Sequence, residues 1–181
     1  MTAALDTLVA TVEQALADES LATDRARCEA MQPAMAALLT ADDPIPDDAR
    51  LPFEGGAVGN LLYTDPDGRF HILAVVFPEG TSSGVHHHGC WGVIGYLEGG
   101  DEETRFDEEI AETSRLVWHQ GDITFLLPDE GEGWHRVRNP GPGPGVSVHV
   151  LCRTPADHPH RYWDRTTSRI LEFPFVERAP G

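Results

Sequence analysis

The sequence predicts a mainly β domain, a sandwich or barrel of short strands, preceded by a helical segment. Three observations predict it. From about Ala57 onward, short apolar runs alternate with turns rich in glycine and proline. Before that, Leu5, Leu8, Val9, Val12 and Leu16 recur at helical spacing over residues 3–18. Between these textures lies ADDPIPDDARLP, whose prolines and acids read as a surface linker.

A second helix is expected over 21–39, with Pro33 either kinking it or starting a new one. Strands are expected at 57–64, 70–78, 84–88, 91–98, 103–107, 115–119, 122–127, 134–138 and 146–152. Between them stand the turn segments DPDG, PEGTSSG, LEGGDEE, HQGD, PDEGEG and NPGPGPG. The last is short enough to be a rigid loop between two strands. No internal repeat with a fixed period is visible. The chain of 181 residues fits one domain. Residues 1–45 form a helical segment packing on the barrel, and residues 46–181 form the barrel with a C-terminal extension.

Charge and composition exclude several functions. Thirty acids stand against 13 bases, for a net charge of −17. Nucleic-acid binding rests on neutralising phosphates, so no nucleic-acid partner is expected. Every base is arginine, which removes chemistry that needs a lysine amine. Cys28, Cys90 and Cys152 are odd in number and scattered, with no CxxC pair. With no signal-type start and no long apolar run, the expectation is a reduced, cytoplasmic protein without a membrane partner, monomeric or a small homo-oligomer.

The histidines carry the chemistry. His86 and His88 are two apart in a strand-like stretch, so both project from one face while His87 points the other way. Two imidazoles on one strand face can share a metal, and a third donor must come from another strand. His135 fits that need, because it opens a strand after a turn rich in glycine and acids. Among the other histidines, His119 precedes a Gly-Asp turn and reads as a strand-end residue. His158 and His160 read as solvated loop. Cys90 reads as a buried bystander, and Trp91 and Trp134 flank the motifs as core or pocket wall.

Two motifs in the right order resemble those of the cupins. Gly80-TSSGV-His86-x-His88, followed by Gly99, looks like the first. Gly121, Pro128, Gly131, His135 and Asn139 resemble the second, with slightly longer spacing. The resemblance covers residues 57–153 and implies a cupin double-stranded β-helix, or jelly-roll barrel. Cupins usually add a glutamate ligand a few residues after the second histidine, and here that position is Gly92. A three-histidine set without the carboxylate, within the run HxHxxWGxxGxLxG, is similar to the thiol dioxygenases. These are the family of cysteine dioxygenase, including bacterial members acting on 3-mercaptopropionate.

Three neutral imidazoles suit a first-row metal such as iron, Fe(2+), and leave its charge uncompensated for anionic ligands. The resemblance implies that a small-molecule thiol and O2 meet at this metal and that the sulfur becomes a sulfinate. It also implies a hydrogen-bond relay from Ser147 and His149, which share a strand face with Leu151. Leu151 replaces the tyrosine that ends this relay in the family. With Gly92 in the cysteine position, the mammalian Cys–Tyr crosslink is excluded. By spacing from Phe70, Asn60 stands where cysteine dioxygenases place an arginine for the substrate carboxylate. That argues for a thiol other than cysteine, with Arg161 as the replacement contact and Trp91 as pocket wall. Two other readings stand beside this one: a cupin oxygenase of a non-thiol substrate, and a non-catalytic metal-binding cupin.

Overall fold

The computed structural model describes residues 1–53, 56–131, 133–152, 160–164 and 169–173. Helix α1 spans Ala3–Ala17 and α2 spans Asp24–Leu39. Each starts at a threonine whose hydroxyl accepts from a first-turn N–H: Thr2 from Leu5 at 3.2 Å and Thr23 from Ala26 at 3.1 Å. These bonds satisfy donors that a helix start otherwise leaves orphaned. Helix α2 runs through Pro33 without interruption. Pro33 and Glu29, whose carbonyl loses its partner, are both exposed, so water can replace that bond.

The segment after α2 is not the surface linker that its acids suggest. Ile45 and Ala49 are buried in the main core. The Thr2 hydroxyl donates to Pro44 O at 2.9 Å, and the Asn60 amide donates to Ala49 O at 2.9 Å. Two apolar side chains among acids are enough to pin a strap to the barrel, because burying each stabilises it by about 1–2 kcal/mol.

The strands are β1 Val58–Thr64, β2 Phe70–Phe77, β3 Ser82–His87, β4 Gly92–Glu98, β5 Gly100–Phe106, β6 Glu112–His119, β7 Ile123–Leu126, β8 Trp134–Arg138, β9 Gly145–Cys152, β10 His160–Asp164 and β11 Arg169–Phe173. Nine match expected strands. β5 and β6 begin about three residues early, inside text that reads as turn and surface. β10 and β11 were not expected: His160 opens a strand rather than lying in a solvated loop, and His158 falls outside the described residues. The loop NPGPGPG is tied by Asn139, whose amide donates to Phe77 O at 2.9 Å and Gly143 O at 2.8 Å.

All pairings are antiparallel, in two sheets of order β1-β2-β9-β4-β7 and β11-β10-β3-β8-β5-β6. The first sheet has two buried faces. Ile72, Ala74, Val76, Val93, Leu97, Val146, Val148 and Val150 join the helices in the main core. Leu73, Ile94, Tyr96, Leu126 and Leu151 form a second apolar cluster on the inner face. A Cβ on Gly95 would come within 2.7 Å of Met35 Sδ, so glycine lets α2 lie close on β4. Among the described residues no helix is long and apolar enough to cross a membrane.

Candidate metal centre

Strand pairing brings the histidines together. His86 on β3 lies directly opposite His135 on β8. Their Nε2 atoms are 3.1 Å apart, and His88, just past the end of β3, puts its Nε2 3.1 Å from that of His86. The donor atoms of all three lie within 4.8 Å of one another, and all three residues are buried. Before them, the pairing of β3 with β8 shifts register between Ser82 and Val85, around Gly84 at φ 73°. A bulge with glycine in the left-handed region re-aims the strand so that His86 and His88 turn inward.

His87 shows the opposite parity. Its ring packs on Trp134 with centroids 5.2 Å apart, and Arg161 donates to its Nδ1 at 2.9 Å. Trp134 neighbours His135 on the other face of β8, so the cluster of His87, Trp134 and Arg161 lies outside the triad.

The tautomers follow from the partners. His86 Nδ1 is 3.4 Å from the Gly84 carbonyl, which only accepts, and His135 Nδ1 is 2.9 Å from Glu103 Oε1. In neutral imidazoles both Nδ1 atoms therefore carry the proton, and both Nε2 atoms carry lone pairs. Two lone pairs facing each other at 3.1 Å repel unless a cation holds them. The two 3.1 Å separations from His86 suit a metal: with metal–nitrogen bonds of about 2.1 Å, perpendicular donors stand about 3.0 Å apart and tetrahedral ones about 3.4 Å. The three histidines can hold a metal ion.

Glu103 on β5 is the residue that sequence reading missed. It is 2% exposed and takes hydrogen bonds from His135 and, at 2.8 Å, from Trp118 Nε1. A carboxylate on the far nitrogen fixes the ring and raises its basicity. Burial opposes the charge of Glu103, yet the His135 contact, Arg105 and Trp118 bring its carboxyl down to about 2. The signal was present in Asp101, Glu103 and Arg105, which alternate along β5 on its inner face. Charges at that spacing read as a solvated edge until β8 is seen beside them.

Asp101 lies on the same face, buried, and its Oδ1 has no hydrogen-bond partner among the described residues. Burial, and then Glu103, push its carboxyl up to about 7. Because that is above the unfolded value, stability is lost as pH rises from the usual carboxylate range towards 7. Asp101→Asn removes the penalty. In urea melts its gain over the parent is expected to grow by about 2 kcal/mol between pH 5.5 and pH 8. A gain independent of pH would contradict the burial of this charge.

On the first sheet, Ser147 and His149 share the inner face of β9. Ser147 Oγ is 2.9 Å from His149 Nε2, and the His149 ring lies 6.5 Å from that of His88. Leu151 follows on this face and lies opposite Gly92. A Cβ on Gly92 would come within 2.6 Å of Leu151 Cδ2. Leucine fills the room that a side chain at Gly92 would need.

The other expected substrate contacts point elsewhere. Asn60 lies opposite Ala74, which faces the helices, and its amide is spent on the strap. Trp91 belongs to the helix-side core. Arg161 lies opposite His87, outside the triad. Strand pairing places Asn60 and Arg161 away from the triad, and Trp91, just before β4, packs in the helix-side core; Leu151 lines the interior. Cys90 is buried as expected, its Sγ donating to Cys152 O at 3.2 Å. His119 ends β6, exposed beside Asp122.

No known family model matches the sequence. Solved structures do resemble the fold. An uncharacterised conserved protein with a double-stranded β-helix domain from Klebsiella pneumoniae is 14% identical. The match covers 70% of this chain and 91% of that one, with a TM-score of 0.50. A Cupin 2 conserved barrel domain protein from Salinispora arenicola is 23% identical over 59% of this chain and 84% of its own, TM-score 0.46. A cupin domain from Bordetella pertussis is 19% identical over 55% and 95%, TM-score 0.43. The chain has the cupin double-stranded β-helix fold, with two N-terminal helices packed on one sheet.

Proposed function

We propose that the protein is an iron(II)-dependent thiol dioxygenase that oxidises a small thiol other than cysteine to its sulfinate. The observation that carries this reading is the convergence of three imidazole nitrogens, His86, His88 and His135, with no carboxylate among them in the described residues. Ferrous iron held there supplies the O2 chemistry that no side chain can. The overall change balances without a further reductant: one thiol and one O2 give one sulfinic acid. An uncompensated metal charge favours a thiolate over a neutral thiol.

The chain's own residues account for the rest. Glu103 keeps His135 in the ligating tautomer. His149 takes the thiol proton in this reading, supported by its contact with Ser147 and its ring lying 6.5 Å from that of His88. The apolar wall of Leu73, Ile94, Leu126 and Leu151 excludes water from the reacting sulfur.

One observation favours a second reading. Leu151 offers no hydroxyl to the substrate or to oxygen, which suits a metal-dependent oxygenase of a non-thiol molecule. Oxygen uptake by iron-loaded protein separates the two, using cysteine, cysteamine, 3-mercaptopropionate and mercaptosuccinate. Uptake with one of the non-cysteine thiols, matched by sulfinate, is expected. No uptake with any thiol from a sample containing one iron per chain would favour the second reading.

A further inference from the structure

The carboxylate that orients His135 also holds an oxidisable ring. Glu103 takes the His135 Nδ1–H on Oε1 at 2.9 Å and the Trp118 indole N–H on Oε2 at 2.8 Å. One side chain therefore joins a ring that can bind the metal to a ring that can lose an electron. The indole lies nearly parallel to the ring of Tyr96, with centroids 5.9 Å apart and 15° between the planes. Trp118 sits on β6, the last strand in the order of its sheet, and is half-buried between the exposed Val117 and His119. These contacts run from a metal ligand to the edge of the barrel.

Trp134 is the contrast. It adjoins His135 in the chain, yet its indole N–H donates to Glu108 at 3.4 Å, which touches no ligand of the triad. Trp91 packs in the helix-side core. An indole that gives up one electron becomes a cation. A carboxylate on its N–H and the face of an aromatic ring within about 6 Å both stabilise such a charge. Trp118 has the two together.

We propose that Trp118 is a redox-active residue, which gives one electron when an oxidant reacts with iron in the triad and no substrate is bound, and so spares the histidine ligands. This rests on iron occupying the triad, not on which substrate the protein oxidises. With hydrogen peroxide as the oxidant the step balances. Iron(II) gives one electron, the Trp118 indole gives the other, and one peroxide with two protons becomes two waters. The indole keeps its N–H proton on the bond to Glu103. A one-electron reductant of the ascorbate class then returns the electron from solution.

The test mixes full-length protein, loaded with iron(II) and free of thiol, with an equivalent of hydrogen peroxide. Freezing at once allows electron paramagnetic resonance to be read. An organic radical signal is expected, with hyperfine splitting that collapses when the protein carries ring-deuterated tryptophan. Ascorbate removes it, and zinc-loaded protein gives none. Trp118→Phe that retains its iron loses the signal, and peptide mapping then finds more oxygen added to His86, His88 and His135 than in the parent. Where Trp118→Phe does not retain iron, mapping of the parent decides: oxygen added at Trp118 supports the assignment, and oxygen at the ligands or Trp134 without Trp118 overturns it. A signal blind to the deuterium label, one that persists in Trp118→Phe, or one given by the zinc protein also overturns it. Failure of every thiol to be oxidised leaves it standing, whereas a parent that binds no iron removes it together with the proposed function.

Discussion

Replacing His135 by alanine is expected to abolish tight divalent-metal binding and the thermal stabilisation that comes with it. Two imidazoles remain, but His86 loses the donor directly opposite it at 3.1 Å, and the metal loses the ring that Glu103 holds in place. At a metal concentration a thousandfold above Kd, binding stabilises the fold by about 4 kcal/mol, which for this chain length is on the order of 10 °C in Tm. The parent shows that shift with iron(II) or cobalt(II) under anaerobic conditions, and His135→Ala shows none. His87→Ala is the control, since its ring lies against Trp134 outside the triad. If His87→Ala lost metal while His135→Ala kept it, the parity on which the site rests would be wrong.

Glu103 is expected to give the second large effect, and two substitutions divide it. Glu103→Gln keeps the shape but loses the charge, and metal affinity falls 10- to 100-fold, the usual cost of disturbing a ligand's outer partner. Glu103→Leu also removes from a barrel interior the carboxylate that His135, Trp118 and Arg105 contact. Removing one member of a buried ion pair costs about 3–5 kcal/mol, so this variant melts far lower even without metal. Competition with a chelator measures the first effect and metal-free denaturation the second. Unchanged chelator competition in Glu103→Gln would mean that His135 needs no orienting carboxylate.

Much of the fold was legible because periodicity is local. The helical stripe from Leu5 to Val12 and the alternation Val146 to Leu151 each show which side chains share a face. Nine strands and both helices follow from such patterns and from turn residues. What failed has a common cause. The strap at Ile45 and Ala49, the early start of β5, and strand β10 all lie in charged text, where local preference favours solvent. Each is decided by a partner distant in sequence: Asn60 for the strap, β6 and β8 for β5, and β3 for β10.

The site divides in the same way. Spacing two apart put His86 and His88 on one face and His87 on the other, and the motif order pointed to His135. That part needs only the alternation of a strand. Of the substrate contacts proposed from spacing, Asn60, Trp91 and Arg161 lie away from the triad, because position along a chain does not reveal which face of a sheet a residue takes after a bulge or a pairing. Glu103 and Arg105 face in.

By itself, then, the sequence determined a β barrel with a helical start, a three-histidine cluster and the absence of a carboxylate at Gly92. Only the tertiary structure decided that Glu103 orients His135, that Leu151 fills the space beside Gly92, and that Arg105 stands at the level of the triad. The physical reason is that donor type and strand parity are set by neighbours one or two residues away. Which charges meet inside a barrel depends on register between strands separated by tens of residues.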